Sequence, residues 1–69
     1  MELRHLKYFQ TIAQELHFGR AATKLCIEPS PLSRSIRELE SELGVKLLIR
    51  NARYTKLTSE GDFFFTIRE

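Results

Sequence analysis

Ser30, Pro31, Ser33, Arg34 and Arg37 gather two hydroxyls, a proline ring and two guanidiniums within eight residues, beside the apolar positions Leu32, Ile36, Leu39 and Leu43. Carried on one helix, such a set suits the major groove of DNA. Hydroxyls and guanidiniums reach base edges and phosphates, and an apolar ring packs on a thymine methyl. Arg34 carries the most weight: one turn from the helix start and off the Leu32–Ile36 stripe, it can reach guanine O6 and N7 or a phosphate. The competing assignment is a surface arginine paired with Glu38 at i+4, worth about 0.2–0.5 kcal/mol. Ser33 is balanced between a groove contact and an ordinary helix position. Arg37 comes later and suits backbone contact better than base contact.

Those side chains need helices to aim them, and the periodicity supplies them. Leu3, Leu6, Phe9, Ile12, Ala13 and Leu16 recur at helical spacing, which predicts a first amphipathic helix from Glu2 to Glu15. His17 and Gly19 interrupt it, and a second short helix follows from Arg20 to Leu25. Ala21 and Ala22 let two helices cross closely, with Leu25 and Ile27 turned inward. Pro29 and Pro31 belong in the first turn of a third helix, where missing amides cost nothing. Gly44 ends that helix.

Beyond Gly44 the period shortens. Val45, Leu47, Leu48 and Ile49, then Tyr54 to Leu57, predict two short strands around the turn Asn51-Ala52-Arg53. Thr58 is a candidate N-cap for a last helix, with Glu60 or Gly61 in its first turn and room beyond only for Asp62 to Glu69. The fold class is mainly α: a winged helix-turn-helix with a three-helix core, a two-stranded wing and the start of a further helix. Bases at Lys46, Arg50, Arg53 and Lys56 run without an intervening acid, whereas Glu38, Glu40 and Glu42 read as a solvated acidic side of the third helix. This segregation lets one surface meet phosphate.

Size and composition bound the rest. A chain of 69 residues is one small domain of modest stability, and 42% hydrophobic with 29% charged residues argues against disorder. The net charge of +2 alone says little about partners. Cys26, the single cysteine, excludes an internal disulfide and reads as a small core filler in a reducing compartment. No signal-peptide layout or membrane-spanning run is visible, so a cytoplasmic location is expected. His5 and His17 lack a third ligand at metal spacing. Neither a nucleophile–base arrangement nor a glycine-rich phosphate loop is visible, so no catalytic residue, metal, cofactor or enzymatic activity is expected.

With these residues in place, the chain resembles the N-terminal DNA-binding domain of LysR-type transcriptional regulators. MELRHLKYF, F-x-R-A-A at Phe18 to Ala22, P-L-S-R-S-I at Pro31 to Ile36 and L-E-x-E-L-G-V-K-L at Leu39 to Leu47 fit that family in order. So do R-x-x-R at Arg50 and Arg53 and L-T-x-x-G at Leu57 to Gly61. KLCI at Lys24 to Ile27 and the Phe63–Phe64 pair look most like the branch controlling aromatic-compound catabolism.

The resemblance implies sequence-specific binding of double-stranded DNA as a dimer, on a partly palindromic site of the T-N11-A type. It also implies a boundary: residues 1–58 form the winged helix-turn-helix and 59–69 the truncated start of a linker helix for dimerisation through Phe63, Phe64 and Ile67. A C-terminal effector-binding domain normally follows, so a fragment ending eight residues past Gly61 is expected to bind DNA without sensing a small molecule, its self-association weakened. Phe18, Gly19 and Arg20 are expected to hold a phosphate at the start of the second helix, with Phe18 itself a packing residue. Arg50 and Arg53 are expected to grip phosphate or enter the minor groove.

Members of this family carry Ser-Gln-Pro before the position of Pro31, and the glutamine that reads a base in relatives is matched by Pro29. Pro29 has no donor, which shifts weight to Ser30, Pro31, Ser33 and Arg34. Two alternatives follow: a truncated regulator that pairs with an intact relative through Phe63 to Ile67, or a DNA binder of low specificity.

Overall fold

A computed structural model of the chain describes residues 2–51 and 53–68, with the side chains of residues 67 and 68 left out of the description. Helices α1 (Leu3–Glu15), α2 (Phe18–Leu25) and α3 (Pro29–Leu43) are followed by strands β1 (Leu48–Arg50) and β2 (Thr55–Leu57) and helix α4 (Ser59–Arg68). The strands pair antiparallel, with Leu48 opposite Leu57 and Arg50 opposite Thr55. Phe9 and Ile12 of α1, Ala21 of α2, Leu32 and Leu39 of α3 and Leu47 before β1 are fully buried, and they form one core shared by the three helices and the wing. Ala21 and Ala22 are buried where α2 packs on both α1 and α3, as small residues at a close crossing should be.

Several elements depart from the sequence reading. α2 begins at Phe18, two residues early, because His17 caps it: His17 Nδ1 accepts the Arg20 amide at 3.0 Å and Gly19 lies inside the helix. α4, by contrast, begins at Ser59, directly after the expected N-cap Thr58, whose Oγ1 accepts the Gly61 amide at 2.9 Å. Leu3 and Leu16 sit on the predicted stripe yet are exposed, Leu3 in the first turn of α1 and Leu16 in its left-handed cap. In the first turn the inward residue is His5 rather than Leu3, and it is 4% exposed. Cys26 is not core filler: it is exposed and occupies the left-handed cap of α2 at φ 60°. Gly44 takes the equivalent position after α3 at φ 75°, as expected.

The ring of Phe9 is met by Phe64 at 5.5 Å and Phe65 at 6.5 Å, so α4 folds back on α1. Gly61 makes this possible. Its backbone approaches the Leu47 carbonyl so closely that a Cβ there would overlap the oxygen. Ala52 and Glu69, in the predicted turn and last helix, lie outside the described residues.

Candidate nucleic-acid interface

Each edge of the candidate surface is fixed by a local bond. At the wing tip, Asn51 Oδ1 accepts the amides of Arg53 at 2.8 Å and Tyr54 at 3.0 Å, and the Asn51 amide donates to the Tyr54 carbonyl at 3.0 Å. This side-chain turn holds Arg53 outward at the tip. At the wing base, Glu40 of α3 accepts the amides of Leu47 at 2.8 Å and Leu48 at 3.1 Å through one carboxylate oxygen. Contrary to the solvated acidic side expected from the sequence, the Glu40 side chain is only 10% exposed and ties α3 to β1, with Lys46 Nζ 4.0 Å from its other oxygen.

The expected contact residues come together in two adjoining concavities. One is lined by Phe18, Gly19, Arg20, Arg50 and Arg53, together with Asn51 and Tyr54. The other is lined by Pro29, Ser30, Ser33, Arg34, Arg37 and Arg50. Arg50 belongs to both. Its Nη1 donates to Ser33 Oγ at 2.8 Å, and its guanidinium carbon lies 4.1 Å from the centroid of the Phe18 ring. Phe18 is buried, in keeping with a packing role. Pro31 is exposed on the first turn of α3 but lines neither concavity. Glu28 is the exposed N-cap residue of α3 and makes no capping hydrogen bond through its side chain.

Charge pairing is uneven over the molecule, and Lys7 and Lys56, outside both concavities, also lack an ion pair among the described residues. Arg4 pairs with Glu2, Lys24 with Glu15 and Lys46 with Glu40. Arg20, Arg34, Arg37 and Arg53 have no ion pair among the described residues, and Arg50 engages only a hydroxyl and an aromatic ring. The pairing of Arg34 with Glu38 does not form, because Glu38 is turned to His5.

Sequence reasoning missed Asn51, Tyr54 and His17, which line the first concavity. An asparagine opening a short turn was the available signal for Asn51. Of the dimerisation set, Phe63 is 68% exposed, Phe64 packs on Phe9, and the Ile67 side chain lies outside the described residues.

Residues 3–62 match the model of the lysR family of bacterial regulatory helix-turn-helix proteins. The chain is 55% identical over 65 residues to the transcriptional regulator BenM of Acinetobacter baylyi, covering 94% of this chain and 21% of that protein. It is 53% identical to the regulator AlsR of Bacillus subtilis, over 93% of this chain and 21% of that one. The chain thus spans about a fifth of the length of these relatives. Among solved structures, the BenM DNA-binding domain with catB site 1 DNA superposes with a TM-score of 0.93 at 54% identity, covering 97% of this chain and 74% of that one. The CbnR DNA-binding domain in its DNA complex gives 0.94 at 39% identity, with 97% and 77% covered. The family match over most of the chain, with these superpositions, makes the fold a winged helix-turn-helix, and the chain belongs to the lysR family of bacterial regulatory helix-turn-helix proteins.

Proposed function

We propose that this chain is the DNA-binding domain of a LysR-type transcription regulator and binds double-stranded DNA in a sequence-specific way. The carrying observation is the set of arginines without carboxylate partners around two concavities that meet at Arg50. Unpaired guanidiniums are free to replace the counterions of a polyanion, and here they border the start of α3 and the wing together.

In this reading α3 enters the major groove. Arg34 reads guanine or phosphate, Ser30 and Ser33 supply hydroxyls, Pro31 meets a thymine methyl, and Arg37 meets the backbone. Pro29 contributes shape without a donor. Phe18, Gly19 and Arg20 approach a phosphate at the start of α2, and Arg53 at the wing tip reaches the minor groove or the backbone. The Arg20 amide is already committed to His17, so the remaining contact there falls to the guanidinium and the earlier amides. The target is a partly palindromic duplex of the T-N11-A type, with half-sites about one helical turn apart for a dimer. Residues 1–58 act as the reading unit, and 59–69 begin the helix through which two copies associate by way of Phe63, Phe64 and Ile67. Among the described residues no helix is long and apolar enough to cross a membrane, and a DNA ligand puts the chain in the cytoplasm.

The test is a fluorescence-anisotropy titration of a T-N11-A duplex and a scrambled duplex at two salt concentrations. Tighter binding to the first supports sequence-specific reading. Equal and steeply salt-dependent binding to both would reduce the chain to a phosphate-gripping module of low specificity.

A further inference from the structure

Arg50 reaches the duplex-facing surface already engaged. Its Nη1 donates to Ser33 Oγ at 2.8 Å across seventeen positions of sequence, and the ring of Phe18 lies under the same guanidinium at 4.1 Å. Phe18 is 6% exposed, so the ring is a fixed platform. Ser33 sits in the second turn of α3, half-buried, in the concavity it shares with Ser30 and Arg34.

A serine hydroxyl has one donor and two acceptor lone pairs. The bond from Arg50 takes one lone pair and, because the donor is cationic, polarises the O–H outward. The second lone pair lies beside a positive charge, where an incoming amino group meets electrostatic repulsion. The hydroxyl proton meets no such obstacle. Cytosine presents only an amino donor in the major groove, whereas guanine, adenine and thymine each present an acceptor there.

We propose that Arg50 is a positioning residue that makes Ser33 a hydrogen-bond donor, so that Ser33 engages an acceptor atom on the duplex and rejects an amino group. This rests on the DNA-binding reading above. The acceptor is a base atom (purine N7, guanine O6 or thymine O4) or a phosphate oxygen; the chemistry is the same, and the test separates them.

The experiment selects duplexes from a randomised pool and measures their affinities with the wild-type chain, Ser33→Ala, Arg50→Ala and the double variant. With a base acceptor, the wild type excludes cytosine at one position, and Ser33→Ala and Arg50→Ala each relax that exclusion by about fivefold, with no further change in the double variant. With a phosphate acceptor, the selected sequences do not change, but Ser33→Ala weakens binding by about fivefold in the wild-type background and hardly at all beside Arg50→Ala. Either pattern supports the coupling, and a simple structural role for Arg50 produces neither. Independent, additive losses, or a cytosine exclusion that survives Arg50→Ala, would overturn it. Binding of no duplex by the wild type would instead remove the DNA-binding reading itself, and this proposal with it. Should Arg50→Ala not fold, Arg50→Met keeps a long chain over Phe18 without the donor.

Discussion

Glu38 accepts a hydrogen bond from Nε2 of His5 at 3.2 Å, thirty-three residues away, and by doing so leaves Arg34 on the previous turn of α3 without a carboxylate. The other ring nitrogen, Nδ1, accepts the Glu2 amide at 3.2 Å, which puts the ring proton on Nε2. His5 thus joins the start of α1 to the side of α3. Removing the acceptor with Glu38→Ala leaves a buried Nε2–H unpaired, so stability should fall by about 1–3 kcal/mol. Thermal unfolding measures this, and an unchanged melting temperature would mean that water replaces the carboxylate at no cost.

The wing should loosen when Glu40 is lost. Glu40→Ala deprives the Leu47 and Leu48 amides of their acceptor in a partly buried setting, at a cost of about 2 kcal/mol. Glu40→Gln keeps one acceptor oxygen and should cost less. Amide hydrogen exchange gives the sharper readout: faster exchange at Leu47 and Leu48, with protection in α1 little changed, marks local opening of the wing.

Gly61→Ala tests the seating of α4. An added Cβ overlaps the Leu47 carbonyl oxygen, and backbone cannot swing aside as a side chain does. We expect a loss of about 1–3 kcal/mol and weaker packing of Phe64 and Phe65 on Phe9. A fully stable Gly61→Ala chain, measured by denaturant titration, would show that α4 sits elsewhere.

Cys26→Gly should have the opposite sign. Cys26 holds a left-handed backbone at φ 60° that costs an ordinary residue about 1–2 kcal/mol, and glycine adopts it freely. Part of that gain is offset by the greater freedom of glycine in the unfolded chain, so a rise of up to about 1 kcal/mol is expected in the same assay.

Much of this architecture was legible because periodicity and punctuation agree. Leu32, Ile36 and Leu39 mark the buried side of α3, and Gly44 marks its end. What escaped were side chains whose roles depend on partners distant in sequence. Glu40 looks like any acid on a helix until Leu47 and Leu48 fold over it. His5 replaces Leu3 as the inward residue because Glu38 can satisfy its ring. At the candidate interface, residue types and spacing indicated the arginines of α3 and the wing. Only the fold showed that Arg50 joins the two concavities and that Glu38, turned to His5, leaves Arg34 without a carboxylate.

If these unpaired guanidiniums bind DNA, a charge-by-charge comparison should reveal it. Binding of a T-N11-A duplex should be titrated across a salt series with the wild-type chain, Arg34→Ala, Arg53→Ala and Lys24→Ala, the last removing a cation already paired with Glu15. We predict a loss of about tenfold or more for Arg34→Ala, a salt slope reduced by about 1 for Arg53→Ala, and little change for Lys24→Ala. Equal losses from all three would show that net charge alone drives binding and that the unpaired guanidiniums have no special role.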